Sequence, residues 1–372
     1  MYEIWYTDDR GTRIAPVTDA IGFEYASILG DVGSFRLFVP FRSQPYVLPR
    51  PDRRIVFYRK PQAGALDLDF VGVTQEFTVQ TSEQGQTQFE MRGEYLNGLL
   101  ARRIVPYYAA SAQTQKNAPA DDFMKAVVTE NFVTNADYDG TPSPSRSISA
   151  NGFSVQGNLG AGPTLRRGFA WRRVLPLLQD LQAASKQAGT ETFFSVDPLT
   201  EATMEFRTWT TPRDRTATSA QAMVFSLERG NLASPALDFV FSNEVTAVYV
   251  GGRGSEAERN VQLVTSAEGL ARSAFGRKER FIQSNYQETD NENDQLIAQG
   301  QDELARRRAR IQFSGDLLAT PATPYGGLDG WKLGDAVTID YAGYQFDTVI
   351  RAVFVRVFPD GSELVRARVE NE

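Results

Sequence analysis

One glycine-rich segment has the composition of a loop that surrounds a phosphate group. It reads Gly157-Asn158-Leu159-Gly160-Ala161-Gly162 and is followed by a predicted helix. Backbone N–H groups in such loops bind phosphate at a helix N-terminus. However, the order is GxxGxG rather than GxGxxG, no strand clearly precedes the segment, and the Gly-Lys-Ser/Thr ending of a P-loop is missing. We therefore interpret it as part of a flexible, exposed loop, because glycines commonly interrupt regular structure.

A second segment, Asn135-Ala136-Asp137-Tyr138-Asp139-Gly140, resembles the first half of a calcium-binding loop. Arg146 occupies the position where a bidentate glutamate is required, so this pattern cannot complete the oxygen ligands. Asn, Asp and Gly also favour turns for backbone reasons, and we predict an ordinary turn. The run Asp290–Asp294 lacks the required glycine and is interpreted as the start of a helix. No metal site is predicted.

Four arginines form a basic cluster at the C-terminal end of the last predicted helix: Arg306, Arg307, Arg308 and Arg310. Cations at that end of a helix complement its dipole, so a solvated face is one interpretation. The other is a salt-bridged contact between subunits, where arginine is favoured over lysine. The sequence does not assign interface residues beyond this alternative.

Cysteine and histidine are both absent from the 372 residues. Their absence excludes disulfides, thiolate nucleophiles, Cys/His zinc sites and a Ser-His-Asp triad. Two carboxylates could still cleave a glycosidic bond, but no pair is distinguished among the 46 acidic residues. We therefore assign no catalytic residue and no cofactor-binding residue, and we expect no cofactor.

The charge balance and hydropathy limit the kinds of partner. A net charge of −7 and a pI near 5.0 argue against tight binding to nucleic acid. The chain has no apolar run of about 18 residues and no charged-then-apolar leader. We expect a soluble protein that is not exported by its own N-terminus and does not insert into a membrane.

Residues 1 to about 106 are expected to form a β-barrel domain. Short apolar alternations recur there at close spacing, and prolines interrupt the connection between the first two. The alternating residues are Phe35, Leu37 and Val39; Ile55 and Phe57; Phe77 and Val79; and Phe89 and Met91. Gly85 marks a hairpin turn, and a short helix is predicted over Gly93–Arg103.

Residues 107 to about 232 are predicted to form an α+β middle domain. Loops are expected over Ala109–Ala120 and Thr141–Pro163, and a helix begins at Asp121-Asp122. A second helix covers Arg172–Ala188, with Pro176 in its first turn and Gly189 as its stop. Strands follow at Thr192–Val196 and Met204–Trp209.

Residues 233–372 are predicted to form a second β-barrel domain. An inserted arm at about 255–293 and a helix at about 294–311 interrupt it, and Ile297, Leu304 and Ile311 lie seven apart in that helix. Turns at Ala342-Gly343 and Pro359–Ser362 separate three strand patterns near the end. The predicted fold class is thus multidomain and mainly β, with two small barrels flanking an α+β middle.

The chain resembles the tail-tip or baseplate hub proteins of siphophages, which are related to the hubs of contractile tails. The resemblance covers nearly the full length and depends on the order of several segments rather than on one motif. These segments are Gly30–Leu37, Asp52–Val56, Phe70–Val73, Phe225–Leu232, Thr246–Gly254, Gly276–Phe281 and Trp331–Val337.

The resemblance implies a non-enzymatic virion component at the tail tip, assembled in the host cytoplasm. In such hubs, three subunits with two barrels each form a pseudo-sixfold ring that adapts a sixfold tail to a threefold tip. The implied partners are two further copies of the chain, the distal tail protein or tail tube protein, the tape-measure protein, and tail fibre or spike proteins. DNA would be a passing cargo in a channel that the hub lines or closes.

Two alternatives remain at this point. One is a cell-wall-degrading tail enzyme that uses two carboxylates, since such activities need no histidine. The other is the hub of a contractile injection device, which the sequence barely separates from a phage hub.

Overall fold

A computed structural model describes residues 1–42, 44–61, 65–83, 85–106, 114–134, 137, 139, 141–169, 171–284 and 292–370. The chain divides into two compact units. The large unit comprises Met1–Pro235 and Gly315–Val369, and the small unit comprises Ala236–Ser314 with Glu370. The protein is mainly β and has more than one unit, as predicted.

The first sixteen strands, all within the large unit, are β1 (Tyr2–Thr7), β2 (Arg13–Pro16), β3 (Gly22–Ile28), β4 (Ser34–Pro40), β5 (Arg54–Arg59), β6 (Asp67–Thr81), β7 (Thr87–Tyr95), β8 (Ile104–Val105), β9 (Thr114–Pro119), β10 (Phe153–Val155), β11 (Thr164–Phe169), β12 (Arg172–Arg173), β13 (Phe193–Pro198), β14 (Met204–Trp209), β15 (Asp214–Arg215) and β16 (Val224–Ser226). The remaining strands are β17 (Leu232–Val240), β18 (Ala247–Gly251), β19 (Val261–Thr265), β20 (Glu279–Gln283), β21 (Arg310–Leu318), β22 (Ala336–Tyr341), β23 (Tyr344–Val357) and β24 (Glu363–Glu370).

The α-helices are α1 (Gly98–Ala101), α2 (Ala120–Val128), α3 (Val174–Gln187), α4 (Ala267–Arg272) and α5 (Glu292–Arg306). A π-helical turn, Thr129–Val133, extends α2. Short 3-10 turns occupy Pro45–Val47, Pro144–Arg146, Ser149–Asn151 and Glu256–Glu258.

The first seven strands form the N-terminal module, in which the neighbours are β2-β1-β5-β6-β7-β4-β3. Alternation explains the strands locally: Phe35, Leu37 and Val39 of β4 are buried, and the residues between them are more exposed. β6 and β7 form a long hairpin, in which the N–H of Gly85 donates to the carbonyl of Ser82 (2.9 Å). The predicted strands in this region are confirmed.

The last strands form the C-terminal module, which consists of β15, β16, β17 and β21–β24. Its neighbours along the sheet are β16-β22-β23-β24-β21-β17, and β15 also pairs with β22. The predicted turn at Ala342-Gly343 joins β22 to β23, with φ of 55° and 80°. The turn between β23 and β24 is confirmed as well, and the N–H of Gly361 donates there to the carbonyl of Phe358 (2.9 Å).

The two modules have the same order of strands both along the chain and across the sheet. Numbered one to six in chain order as β1, β3, β4, β5, β6, β7 and as β16, β17, β21, β22, β23, β24, each sheet has the order 1-4-5-6-3-2. The long fifth strand has 15 residues in one module and 14 in the other. The first strand differs in direction, because β1 is antiparallel to β5 whereas β16 is parallel to β22.

Backbone hydrogen bonds repeat at equivalent positions of the two modules. Thr74 in β6 donates its N–H to Arg53 (2.8 Å), and Ile350 in β23 donates its N–H to Asp335 (2.9 Å). The hairpin glycines Gly85 and Gly361 have φ of 77° and 79°. The chain between the second and third strands differs most, since a short turn joins β3 to β4 while the small unit lies between β17 and β21 in sequence.

The middle of the chain packs α2 and α3 against β13 and β14. Phe123, Leu178, Phe194 and Phe206 are fully buried there in one apolar cluster. Helix α3 confirms the predicted helix, and Gly189 follows its end with φ of 99°.

Three local predictions were wrong. Residues 114–119 of the expected loop form β9, because their backbone pairs with β11 despite polar side chains. Part of the second expected loop forms β10, which pairs with β14. The helix expected over Gly93–Arg103 is reduced to α1, because residues up to Tyr95 continue β7 and pair with β4 and β6. The first part of the expected loop, residues 109–113, lies outside the described residues.

In the small unit, α5 packs on a sheet with the order β19-β18-β20. The arm contributes β19 and β20, which both pair with β18, and the helix ends at Arg306 rather than near residue 311. Ile311 lies instead in β21, where the chain has become extended. The buried residues of α5 are Leu296 and Gly300, and Leu304 of the predicted stripe packs against the same apolar cluster.

The division into units differs from the predicted domain boundaries. The predicted boundary near residue 232 lies close to the one observed after Pro235. The predicted domain 233–372 is divided between the two units, since its last strands pair in one sheet with the N-terminal module. Closure of either module into a barrel stays a prediction.

Candidate assembly interface

The two modules are joined edge to edge by β3 and β23. Six antiparallel residue pairs, from Ala352 opposite Ile28 to Val357 opposite Phe23, make the junction. β3 thereby covers the second half of β23, and Val353 and Val355 are only 1% exposed. The first half of β23 pairs on the same side with β22. One sheet therefore continues from one end of the chain to the other.

An ion pair between a buried arginine and a partly exposed glutamate links the modules beside this junction. The Arg59 guanidinium of β5 donates from Nε and Nη2 to the Glu363 carboxylate of β24, at 2.7 and 3.1 Å. Its Nη1 donates to the carbonyl of Tyr325 (2.9 Å), and the Tyr2 hydroxyl donates to Glu363. Burial alone would raise the pKa of Glu363, but its hydrogen bonds with Arg59 and Tyr2 outweigh burial and lower it.

Asp69 of β6 lies next to this pair and accepts hydrogen bonds from both modules. The hydroxyls of Tyr25 and Tyr325 donate to its two oxygens, the latter at 3.0 Å. Burial raises the pKa of Asp69 above its usual value, although the tyrosines and Arg59 oppose this. No motif in the sequence pointed to this cluster. Its local signal is the carboxylate of Asp69 between Leu68 and Phe70.

Asp69 and Asp197 line a cavity of about 620 Å³ that also contains Tyr95, Trp209 and Asp335. Burial raises the pKa of Asp197 as well. A glycosidase requires one carboxyl group with a raised pKa as its acid and a second carboxylate that stays ionised, whereas the pKa is raised at both Asp69 and Asp197. Asp335, however, is held in an ion pair by Arg213, and both oxygens of Asp69 already accept hydrogen bonds.

The outer face of the sheet at the junction is polar. A concavity of about 420 Å³ is lined there by ion-paired side chains of both modules. In the N-terminal module, Arg36 contacts Glu24 (3.2 Å) and Glu90 (2.7 Å). In the C-terminal module, Asp316 contacts Arg366 (3.1 Å). Alternating charges of this kind keep a sheet surface hydrated rather than apolar.

The predicted glycine-rich loop is exposed, but carboxylates of the chain itself occupy its N–H groups. Leu159 and Ala161 donate to Asp121 at 3.0 and 2.6 Å, and Gly160 donates to Asp122 at 3.1 Å. Lys125 donates to Asp121 (3.0 Å). A strand, β11, follows the loop rather than a helix. Because these donors already have acceptors, the structure does not favour phosphate binding.

The described residues of the other two motifs contact groups of the chain itself. The calcium-like segment lies partly outside the described residues, and Asp139 accepts hydrogen bonds from Thr141 as in an ordinary turn. Among the residues that the structure describes, no group of three or more acidic side chains could hold a metal ion. In the arginine cluster, Arg307 pairs with Glu303 (2.6 Å), and Arg310 donates to the carbonyl of Arg306 (2.9 Å).

In the described part of the chain, each helix is too short or too polar to cross a bilayer.

Several solved structures have a fold similar to that of this chain. The 43 kDa tail protein of prophage MuSo2 from Shewanella oneidensis is 14% identical, with a TM-score of 0.59 over 99% of this chain and 98% of that chain. The tail protein from Neisseria meningitidis MC58 is 12% identical, with a TM-score of 0.56 over 100% and 97%. A chain of the lidded Francisella PdpA–VgrG complex is 10% identical, with a TM-score of 0.55 over 100% and 52%. No curated protein sequence matches.

A family model also matches residues 1–369, and it describes siphovirus ReqiPepy6 Gp37-like proteins. The predicted resemblance to siphophage tail proteins is therefore confirmed. Tail proteins of this kind are components of the virion. The chain belongs to the siphovirus ReqiPepy6 Gp37-like family of siphophage tail proteins.

Proposed function

We propose that the protein is the trimeric hub of a siphophage tail tip, where it adapts a sixfold tail tube or distal tail ring to a threefold tip. The observation that carries the proposal is the repeated strand order of the two modules in one chain. Three chains with two equivalent modules each present six similar sheets. A ring of three chains can thus match a sixfold neighbour on one side and a threefold neighbour on the other.

In this proposal each module rolls into a small barrel, and the six barrels surround a channel. Three identical chains close a ring through heterologous interfaces, in which two different surfaces of each copy meet. Permanent interfaces of this type are large and partly apolar. The N- and C-terminal modules meet their neighbours in the ring, and the α+β middle narrows or closes the channel.

The proposed partners follow from this position. The ring contacts the distal tail protein or the tail tube protein above, the tape-measure protein within, and tail fibre or spike proteins below. DNA passes through the channel as cargo and is not retained, in keeping with a net charge of −7. Assembly occurs in the host cytoplasm before the virion is released.

Native mass spectrometry of the purified protein, followed by electron microscopy of the assembled tail, tests the proposal. We expect a trimer in solution and a ring with six similar lobes at the tail tip. A protein that stays monomeric at high concentration, or a tail tip that lacks this chain, would contradict it.

A carboxylate-based cell-wall hydrolase is the second candidate, because Asp69 and Asp197 line one cavity. A catalytic carboxylate has to reach substrate, whereas the oxygens of Asp69 are occupied by Tyr25 and Tyr325. The hub proposal is therefore preferred. Degradation of purified peptidoglycan that is lost in Asp197→Asn but kept in the surface variant Asp180→Asn would support the hydrolase.

The hub of a contractile injection device is a variant of the same proposal. The fold similarity to a chain of the Francisella PdpA–VgrG complex is consistent with it. Genes that neighbour the coding sequence distinguish the two cases, since a phage hub is expected beside tape-measure and distal tail genes.

A further inference from the structure

The repeated strand order contains a second pair of strands that is equivalent to β3 and β23, but the two strands of that pair do not contact each other within one chain. In the repeated strand order, β17 is the equivalent of β3, and β6 is the equivalent of β23. β3 pairs with β23, but β17 and the second half of β6 are not partners in this chain. We propose that β17 of one copy pairs with the second half of β6 of the next copy. This inference rests on the proposed ring and specifies how its copies join.

The second half of β6 has an open edge of the required kind. The N–H of Ser82 donates to Gln86 of the hairpin, so alternation directs the backbone groups of Phe77, Val79 and Thr81 away from β7. β5 covers this side of β6 only as far as Val73. No strand among the described residues continues it beyond that point.

The exposure of two equivalent side chains supports the addition of a strand beside β6. Val79 of β6 occupies the position of Val355 in β23, counted from the matching hairpin turns. Val355 is 1% exposed beneath β3, whereas Val79 is 51% exposed. An added strand at β6 would bury Val79 as β3 buries Val355. Burial of an apolar side chain of this size is a favourable contribution to assembly.

β17 supplies the complementary edge. It is the last strand of the sheet, and only β21 pairs with it among the described strands. The N–H of Leu318 donates to the carbonyl of Asn231 (2.9 Å), so the start of β17 meets the end of β21 in antiparallel fashion. Alternation then directs the backbone groups of Leu232 away from β21. The φ of 48° at Ser234 interrupts the alternation after that residue, and Pro235 has no N–H.

Neither edge carries the charged residues that commonly protect an exposed strand. Residues 77–81 read Phe-Thr-Val-Gln-Thr, and residues 232–237 read Leu-Ala-Ser-Pro-Ala-Leu. Edge strands of monomeric proteins usually carry lysine or another charge that prevents pairing between chains. The uncharged edges of β6 and β17 can therefore pair with each other. In a closed ring, β17 of one copy would cover β6 of the next copy.

Cysteine cross-linking tests the pairing directly, because the natural chain has no cysteine. At the internal junction, Arg356 lies opposite Glu24. Gln80 is the equivalent of Arg356, and Ala233 is the equivalent of Glu24. Gln80 should therefore lie opposite Ala233 of the next copy. The variant Gln80→Cys/Ala233→Cys is expected to give covalent dimers and trimers on mild oxidation. A second pair, Gln80→Cys with Ser234→Cys, covers the one-residue shift that the φ of 48° at Ser234 would introduce.

The matched control is Glu24→Cys/Arg356→Cys, which should form a disulfide within one chain and leave it monomeric on a denaturing gel. Val79→Pro removes an outward N–H without touching the β6–β7 ladder, so it should fold and lose the trimer. A trimer that shows neither cross-link and persists in Val79→Pro would refute the pairing but not the hub. A chain that is monomeric throughout would refute both.

Discussion

The buried pair of Asp121 and Lys125 provides the most quantitative prediction. The two side chains are 0% and 2% exposed, and their charged atoms lie 3.0 Å apart. Asp121 also accepts the N–H groups of Leu159 and Ala161, so it holds the glycine-rich loop against the start of α2. Replacing Asp121 by Ala leaves Lys125 buried without its counter-ion. Breaking a buried pair in this way costs about 3–5 kcal/mol.

Local proteolysis measures this loss better than global unfolding, because a chain with two compact units need not unfold in one step. Chymotrypsin cleavage after the exposed Leu159 reports opening of the loop. A loss of about 3 kcal/mol raises the open population roughly 100-fold, since each 1.4 kcal/mol is tenfold. Asp180→Asn is the control, because its ion pair with Arg172 is exposed and should contribute less than about 1 kcal/mol.

The same pair predicts a dependence on pH. Burial alone would raise the pKa of Asp121, but Lys125 and the two loop N–H groups outweigh burial and hold it below its usual value. The stabilisation is therefore complete above the unfolded pKa of about 3.9 and is lost as the pH falls towards the folded pKa. If Asp121→Ala cleaves no faster than Asp180→Asn at neutral pH, the argument from the buried pair is wrong.

Three further substitutions test the fold that carries the proposed ring. Gly361→Ala should destabilise by about 1–2 kcal/mol in thermal unfolding because φ is 79°, whereas Gly157→Ala, with open space around it and no positive φ, should cost about 0. Leu178→Ala removes a fully buried side chain and should cost about 2–5 kcal/mol in urea unfolding; a cost near 0 would contradict the packing of α3. Arg59→Met removes the two hydrogen bonds from Arg59 to the partly exposed Glu363 and should cost about 1–2 kcal/mol, and an unchanged melting temperature would show that the pair does not join the modules.

Local patterns in the sequence were sufficient for many elements. The alternation of Phe35, Leu37 and Val39 and the turn at Ala342-Gly343 lie within single strands or hairpins, where neighbouring residues carry the signal. The end of α5 could not be predicted from such a local pattern. Ile311 continues an apolar spacing of seven, but the chain at that point pairs as a strand, and pairing overrides helical periodicity.

By itself the sequence determined that the protein is mainly β, lacks cysteine and histidine chemistry, and has hairpins near both ends. Only the tertiary structure decided that β3 pairs with β23, that Asp69 meets Tyr325, and that Asp121 occupies the N–H groups of the glycine-rich loop. The physical reason is that these partners are far apart along the chain. Backbone hydrogen bonds and buried charges select partners in space, and no local spacing records that choice.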